Sequence, residues 1–388
     1  MFKLNLWQSH NEYRTIVNTY GRRLSRNYPK YSFGLYDKER QKLLNLNLDA
    51  IPEYILPFYS PGGRPAKKQA QILRSLILFV LLFNKTPAKT SLALWVTEVL
   101  PNSIALTILI GCTCIQELPP LGSYYGFMNR FWLASRNAYS RHSLLPKGRN
   151  SIKPDKTLGG DGKLEDNGTV SCRDIVSDIM AGLPASDNPE SALQTIFTLL
   201  AVLPSARLGL VDAENLTLSG DGTSVVSHSY PYGRHLSSCS KTCPYRDGCG
   251  RHYSDPDAAW GWDSDNKTWF FGHTLYMLCC RDNSLKIELP LLMEFTGARR
   301  HDSKNFLYAI DDFGRQFHGL TPKNICLDPA HDNIPTYELL EHWDINALIG
   351  INSRAKSSKN APADITLDKN GHPLCPAGHK MCPWATTP

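Results

Sequence analysis

Two aspartates stand where metal-dependent chemistry would need them. Asp221 lies in LSGDGTS (218–224), with the apolar, Thr-bearing NLTL leading in and the alternating VVSHSY leading out. An acid between glycines fits a turn, whereas the flanking pattern fits a short strand carrying the acid on its track. Asp328 lies in NICLDPAHDN, at the end of a buried-strand pattern and ahead of a turn and a helix. Open α/β sheets bind ligands just beyond the carboxyl ends of their strands, so Asp328 occupies the expected place for chemistry. Asp332 is the competing acid, a helical turn past the strand end. Two carboxylates converging on a pair of Mg²⁺ or Mn²⁺ ions about 3.5–4 Å apart would clamp the attacking and leaving oxygens of a phosphodiester.

A second constellation is softer. The stretch CSKTCPYRDGC supplies Cys239, Cys243 and Cys249, flanked by His235 and His252. Three thiolates and the His252 imidazole could close a tetrahedral Zn²⁺ site; the spacing is not that of a standard finger, and reduced, unligated thiols are the alternative. CPAGHKMC offers Cys375, His379 and Cys382, half of a metal knuckle. Cys112, Cys114, Cys172, Cys279, Cys280 and Cys326 read as ordinary buried residues. His273, inside a strand pattern, reads as a packed or hydrogen-bonded histidine, and Arg299, Arg300 and His301 as a loop able to touch phosphate.

These residues need elements to position them. QAQILRSLILFVLLF, TSLALWVTEVL, SIALTILIG and LGSYYGFMNRFWLASR are helix-length segments between 66 and 140, separated by Asn, Pro and Gly. Residues 146–170 lack apolar periodicity and read as a linker, followed by a helix near 190–203. From Leu216 the pattern changes to strands at the Asp221 segment, 269–280 and 285–295, then a helix (302–317), a strand (324–328), a helix (334–343) and a strand (346–352). Three early strands followed by alternating helix and strand predict an α/β sheet of mixed direction.

Charge divides the chain as well. Residues 1–150 hold 20 Lys and Arg against 7 Asp and Glu, a net of +13, and the remainder holds 22 against 29, a net of −7. A basic block interspersed with Tyr, Trp and Phe suits a polyanion such as DNA or is a solvated surface; an acidic block with isolated aspartates suits divalent cations. The start, MFKLNLWQSHNEYR, has no apolar signal region, which predicts a cytoplasmic protein with reduced thiols. LILFVLLF (76–83) is too short to span a bilayer, and the tract from Ser91 to Gly111 carries Glu98, Pro101 and Asn102, so no membrane association is expected.

Taken in order, LSGDGTS, FFGHTLYML, LPLLMEFTGARRHDSKNF and CLDPAHDN resemble the DDE transposases of bacterial insertion sequences over roughly 215–352. LRSLILFVLL and LGSYYGFMNRFW are similar to the helical region that precedes the core in that family. The resemblance implies an RNase H-like mixed sheet with flanking helices, preceded by a mainly helical N-terminal domain. On this reading residues 1–145 form a basic helical DNA-binding domain, 146–213 a linker and helix, 214–352 the catalytic core with a Cys-rich insertion at about 231–268, and 353–388 an incomplete insertion. Asp221 and Asp328 would be metal-binding catalytic acids cutting and joining double-stranded transposon ends, with the protein a homo-oligomer on DNA. The family's third acid, usually Glu on a helix after the last strand, has no counterpart: beyond NALIGIN the acids are Asp364 and Asp368, in a polar loop. That departure predicts a truncated or split transposase, or an inactive remnant that binds DNA, with the Cys-rich segment as a candidate zinc site.

Overall fold

Capping and amphipathic spacing start the first helix. The Glu12 N–H donates to Ser9 Oγ at 3.3 Å and the Ser9 N–H to Glu12 Oε2 at 2.8 Å, a reciprocal box that satisfies two helix-end donors. Helix α1 (His10–Asn27) then buries His10, Tyr13, Val17, Gly21 and Leu24 at helical spacing, while Arg14, Arg22, Arg23 and Arg26 face solvent. The computed structural model describes residues 6–29, 33–59, 62, 65–82, 91–135, 144–145, 170–185, 192–231, 234–235, 251–252, 255, 258–263, 266–282 and 286–351.

Helices α2 (Asp37–Asn45), α3 (Ile51–Ile55), α4 (Gln69–Leu82), α5 (Leu92–Leu94, running into a π turn at Trp95–Val99), α6 (Ile104–Leu109) and α7 (Leu121–Ser135) follow. The four helix-length segments predicted between 66 and 140 are therefore helical. One apolar core joins these helices through Tyr13, Leu43, Ile51, Leu78, Trp95 and Leu109. Arg74 is buried with it: its guanidinium lies 3.9 Å from the centre of the Tyr13 ring and Nη1 donates to Gln8 Oε1 at 2.5 Å. Burial lowers its pKa to about 10, so this residue of the basic block serves packing and not the surface.

After α8 (Cys172–Met180), again started by a capping box at Ser171 and Asp174, helix α9 (Ala192–Phe197) continues through a π turn into Leu203–Arg207. A six-stranded open sheet follows. Its strands are β1 (Thr217–Val226), β2 (Ala259–Asp263), β3 (Thr268–Asp282), β4 (Ile287–Gly297), β5 (Asn324–Leu327) and β6 (Asn346–Ile349), with α10 (Asp302–Gln316) between β4 and β5 and α11 (Ile334–His342) between β5 and β6. β3 pairs antiparallel with β1, β2 and β4, whereas β1–β5 and β5–β6 are parallel. The fold is thus mixed α/β, as the strand and helix order predicted. β2, which lies within the stretch assigned to a Cys-rich insertion, was not anticipated. Leu218, Tyr276, Leu278, Ile325 and Leu327 of the sheet form a second core with Phe306, Ile310 and Phe313 of α10 and with Ile175 and Ile179 of α8.

The two cores meet through Gln194 on α9, which is 3% exposed. Its Nε2 donates to the Leu291 carbonyl at 3.0 Å and its Oε1 accepts from the Met293 N–H at 2.8 Å. A side-chain amide therefore substitutes for one ladder step on β4, beside the irregularity where Cys279 opposes Pro290. Pro lacks an N–H and belongs at such an irregular strand edge. Among the described residues no helix is long and apolar enough to cross a membrane.

Between β4 and α10, Glu294 Oε1 and Asp312 Oδ1 are buried and meet no donor. Burial is the first cause that pushes both carboxyls up, Glu294 well above its usual range and Asp312 to about 6, and a hydrogen bond between the two raises Glu294 further while lowering Asp312. Glu294 thus keeps its proton and donates it to Asp312, with Asp311, Arg315 and Arg300 as the surrounding charges. The folded chain holds protons that the unfolded chain sheds, so this pair's contribution to stability falls as pH rises from the ordinary carboxylate range, about 4, through about 6 and above. Thermal unfolding at about pH 5 and about pH 8 tests this: the wild type loses more melting temperature across that interval than Asp312→Asn, which supplies a permanent donor. Equal pH dependence in both proteins excludes the shared proton.

Candidate functional site

The site is made by one parallel ladder. Thr217 to Gly220 of β1 pair in register with Asn324 to Leu327 of β5, and Asp221 and Asp328 are the next residue on each strand. Neighbouring strands lie about 4.8 Å apart, so the two acids stand side by side at the carboxyl end of β5. β1 runs on beside β3 as far as Val226 while β5 stops, which leaves β1 without its β5 neighbour from Asp221 onward. Asp221 is exposed, and its Oδ1 accepts from the Gly222 N–H at 2.7 Å. Asp328 caps the short 3₁₀ turn Pro329–His331. Its side chain is 55% exposed, and Oδ1 accepts from the Ala330 N–H at 3.2 Å and lies 2.5 Å from His331 Nδ1.

The glycines around Asp221 have a packing explanation, and the acid is in a strand and not a turn. A Cβ on Gly220 would lie 2.5 Å from Tyr276 Oη and 3.0 Å from Leu327 Cδ2, and one on Gly222 would lie 2.5 Å from Asp302 Oδ1. Side chains alternate along a strand, so Asp221 projects from the opposite face. The glycines let Tyr276 and Asp302 approach the backbone of the strand that carries the acid.

Beneath the acids lies a buried polar chain. Tyr276 Oη is 2.9 Å from His331 Nε2, and His331, with 0% exposure, is edge-on to Phe306 at 5.8 Å. Burial pushes the Tyr276 hydroxyl well above its usual range, and Asp302, Asp221 and Asp328 add to the shift in that order. Asp302, at the start of α10, is itself raised by burial, opposed by His331, with Asp221 a smaller raising influence. Neither Tyr276, His331 nor Asp302 was singled out from the sequence. The signals were present in FFGHTLYML, CLDPAHDN and RRHDSKNF, but nothing local says that these three stretches meet.

Other candidates fall into place around this centre. Asp332 accepts from the Tyr337 hydroxyl at 3.1 Å, away from the strand end. His273 is a packed histidine: it stacks on Phe295 at 4.3 Å and its Nε2 lies 2.9 Å from Asp255 Oδ2. The stretch read as a phosphate-touching loop is engaged by the fold, with Arg299 buried, Arg300 over the Tyr308 ring at 4.4 Å, and His301 capping α10. Of the cysteines read as ordinary, Cys112 and Cys280 are buried and Cys114, Cys172, Cys279 and Cys326 half-buried, all as free thiols. Burial raises the Cys112 thiol to about 12. Cys239, Cys243, Cys249, Cys375, His379, Cys382, Asp364 and Asp368 lie outside the described residues. The backbones of Arg234–His235 and Arg251–His252 pair antiparallel.

Asp221 and Asp328 are hard oxygen donors of the kind Mg²⁺ takes, but among the described residues no group of three or more His, Cys, Asp or Glu is arranged to hold a metal ion. Comparison with known protein families, curated proteins and solved structures finds no match.

The packing explanation of the glycines is testable by stability alone. Gly220→Ala is expected to cost about 1–3 kcal/mol, as overpacking does. Gly314→Ala, on the exposed face of α10 with nothing within 4 Å of the added methyl, should instead stabilise by about 0.5–1 kcal/mol. Chemical denaturation of the two variants checks the contrast, and a neutral Gly220→Ala removes the argument.

Proposed function

We propose that the sheet is an RNase H-like core and that the chain is of the transposase type, cutting and joining DNA by divalent-metal phosphodiester chemistry with a catalytic set that is incomplete in the described residues. The observation that carries this reading is the parallel ladder that leaves Asp221 and Asp328 adjacent, one residue past Gly220 and Leu327. Strand order supports it. The antiparallel strands β1, β3 and β4 are followed by two parallel strands, each reached through a helix. Asp221 and Asp328 would hold the cation, which when bound supplies Lewis-acid activation of the scissile phosphodiester. Their own part is to keep carboxylate oxygens open at the strand end, and both are exposed enough to do so. For the DNA, the exposed Arg14, Arg22, Arg23 and Arg26 of α1 and Lys38 and Lys42 of α2 form a basic surface that suits a phosphate backbone.

A second reading is favoured by one observation. With two carboxylates instead of three ligands, a Mg²⁺ ion that demands near-octahedral coordination is held poorly. The chain would then be an inactive transposase relative that still binds DNA, with Cys239, Cys243, Cys249 and His252 as candidate zinc ligands. Cleavage and binding of duplex oligonucleotides in Mg²⁺ or Mn²⁺ separate the two. The expected outcome for the chain alone is binding without nicking, with affinity that falls by about 10³-fold or more between roughly 50 and 200 mM salt if six or more phosphates are neutralised. Metal-dependent nicking abolished by Asp221→Ala would show that a further acid completes the site. Absence of DNA binding at low salt defeats both readings.

A further inference from the structure

The buried pair Tyr276 and His331 has no role in the proposed chemistry as stated, yet it touches the site at one atom. We propose that His331 is a positioning residue, held by Tyr276, whose Nδ1–H occupies Asp328 Oδ1 and leaves Oδ2 as the oxygen Asp328 offers a cation. This rests on the reading of Asp328 as a metal ligand.

The polarity follows from the donors available. A carboxylate only accepts, so the 2.5 Å contact between His331 Nδ1 and Asp328 Oδ1 places the proton on Nδ1. Nε2, on the far side of the ring, lies 2.9 Å from the Tyr276 hydroxyl, and this second hydrogen bond fixes the ring's orientation. The Ala330 N–H also donates to Asp328 Oδ1, at 3.2 Å. Two donors occupy both lone pairs of that oxygen, which leaves Oδ2 as the oxygen free to meet a cation. Nothing in the surroundings lets the ring turn away. His331 has 0% exposure, Phe306 stands edge-on to it, and Tyr276 is itself wholly buried. Gly220 leaves the space in which the Tyr276 hydroxyl sits, since a Cβ there would lie 2.5 Å from it. The arrangement is that of a metal site in which a buried partner orients the ligand, with a histidine orienting a carboxylate.

Two measurements on the full chain test this. The first is histidine-selective ¹⁵N NMR of the metal-free protein: His331 should report a proton on Nδ1, and Tyr276→Phe should lower that occupancy. A wild-type ring protonated at Nε2 alone overturns the relay whatever the site does. The second is titration with Mn²⁺ alone, read by water-proton relaxation, with the folded fraction of each variant measured by denaturation. Asp328→Asn should abolish the binding. His331→Leu should weaken it by about 10-fold or more, as loss of an orienting partner does. His331→Asn, whose carboxamide N–H can stand where Nδ1–H stands, should keep affinity within about 3-fold of wild type while being destabilised as much as the leucine variant. Tyr276→Phe, which keeps the ring volume, should weaken binding even if the His331 variants fold poorly. Wild-type affinity in His331→Leu and Tyr276→Phe, with loss in Asp328→Asn, overturns the positioning role and spares the metal reading. Unchanged binding in Asp328→Asn, or no Mn²⁺ binding by the wild type, overturns the metal reading itself.

Discussion

The short parallel pairing of β1 with β5 is the constraint on which the rest depends. Four residues of each strand, separated by 107 positions in the chain, are held in one register. A slip of one residue would turn Leu218 and Ile325 out of the core and carry Asp221 or Asp328 away from its neighbour. The register is strongly specified because Leu218, Ile325 and Leu327 are buried against α10 and α8, whereas the acids take the first position past the paired segment. Hydrophobic burial on one face therefore sets the placement of charge at the strand end.

Close approach on the helix side is the second element of the design. Glycines at 220 and 222 bring Tyr276 and Asp302 against the strand backbone, and Tyr276 passes its hydroxyl to a histidine buried under Phe306. Polar groups buried this deeply are costly unless each has a partner. Tyr276, His331 and Asp328 meet that requirement as a chain that ends in solvent at the exposed carboxylate. The same face of the sheet holds the opposite solution a few residues away, where burial leads Glu294 and Asp312 to share a proton.

The basic half of the chain follows a simpler rule. α1 buries one face and turns its arginines outward, while Arg74, equally cationic, is drawn into the core by stacking on Tyr13 and bonding to Gln8. Net charge counts these arginines alike, and only burial tells which of them a polyanion can meet. Gln194 ties this half to the sheet by replacing a ladder step on β4, so the helical core and the sheet are joined through a side-chain amide instead of a continuous strand.

How far the sequence reaches can be judged element by element. Helices at Gln69–Leu82, Asp302–Gln316 and Ile334–His342 and strands at Thr268–Asp282 and Asn324–Leu327 are written in local periodicity and punctuation, and so was the strand character of LSGDGTS, in competition with a turn. Helices α1 and α8 were legible in principle, since Ser9 with Glu12 and Ser171 with Asp174 are capping boxes, a signal short enough to read directly. The sequence by itself thus determined most of the elements that carry the site, their order, and the acids, one within β1 and one just past the end of β5. Tertiary structure alone decided that β1 and β5 are neighbours, that Tyr276 reaches His331 across 55 residues, that Asp302 requires Gly222, and that Arg74 is interior. The physical reason is that secondary structure follows from contacts within a few residues, whereas pairing, burial and the partner of each polar atom are set by segments that only meet once the core has formed.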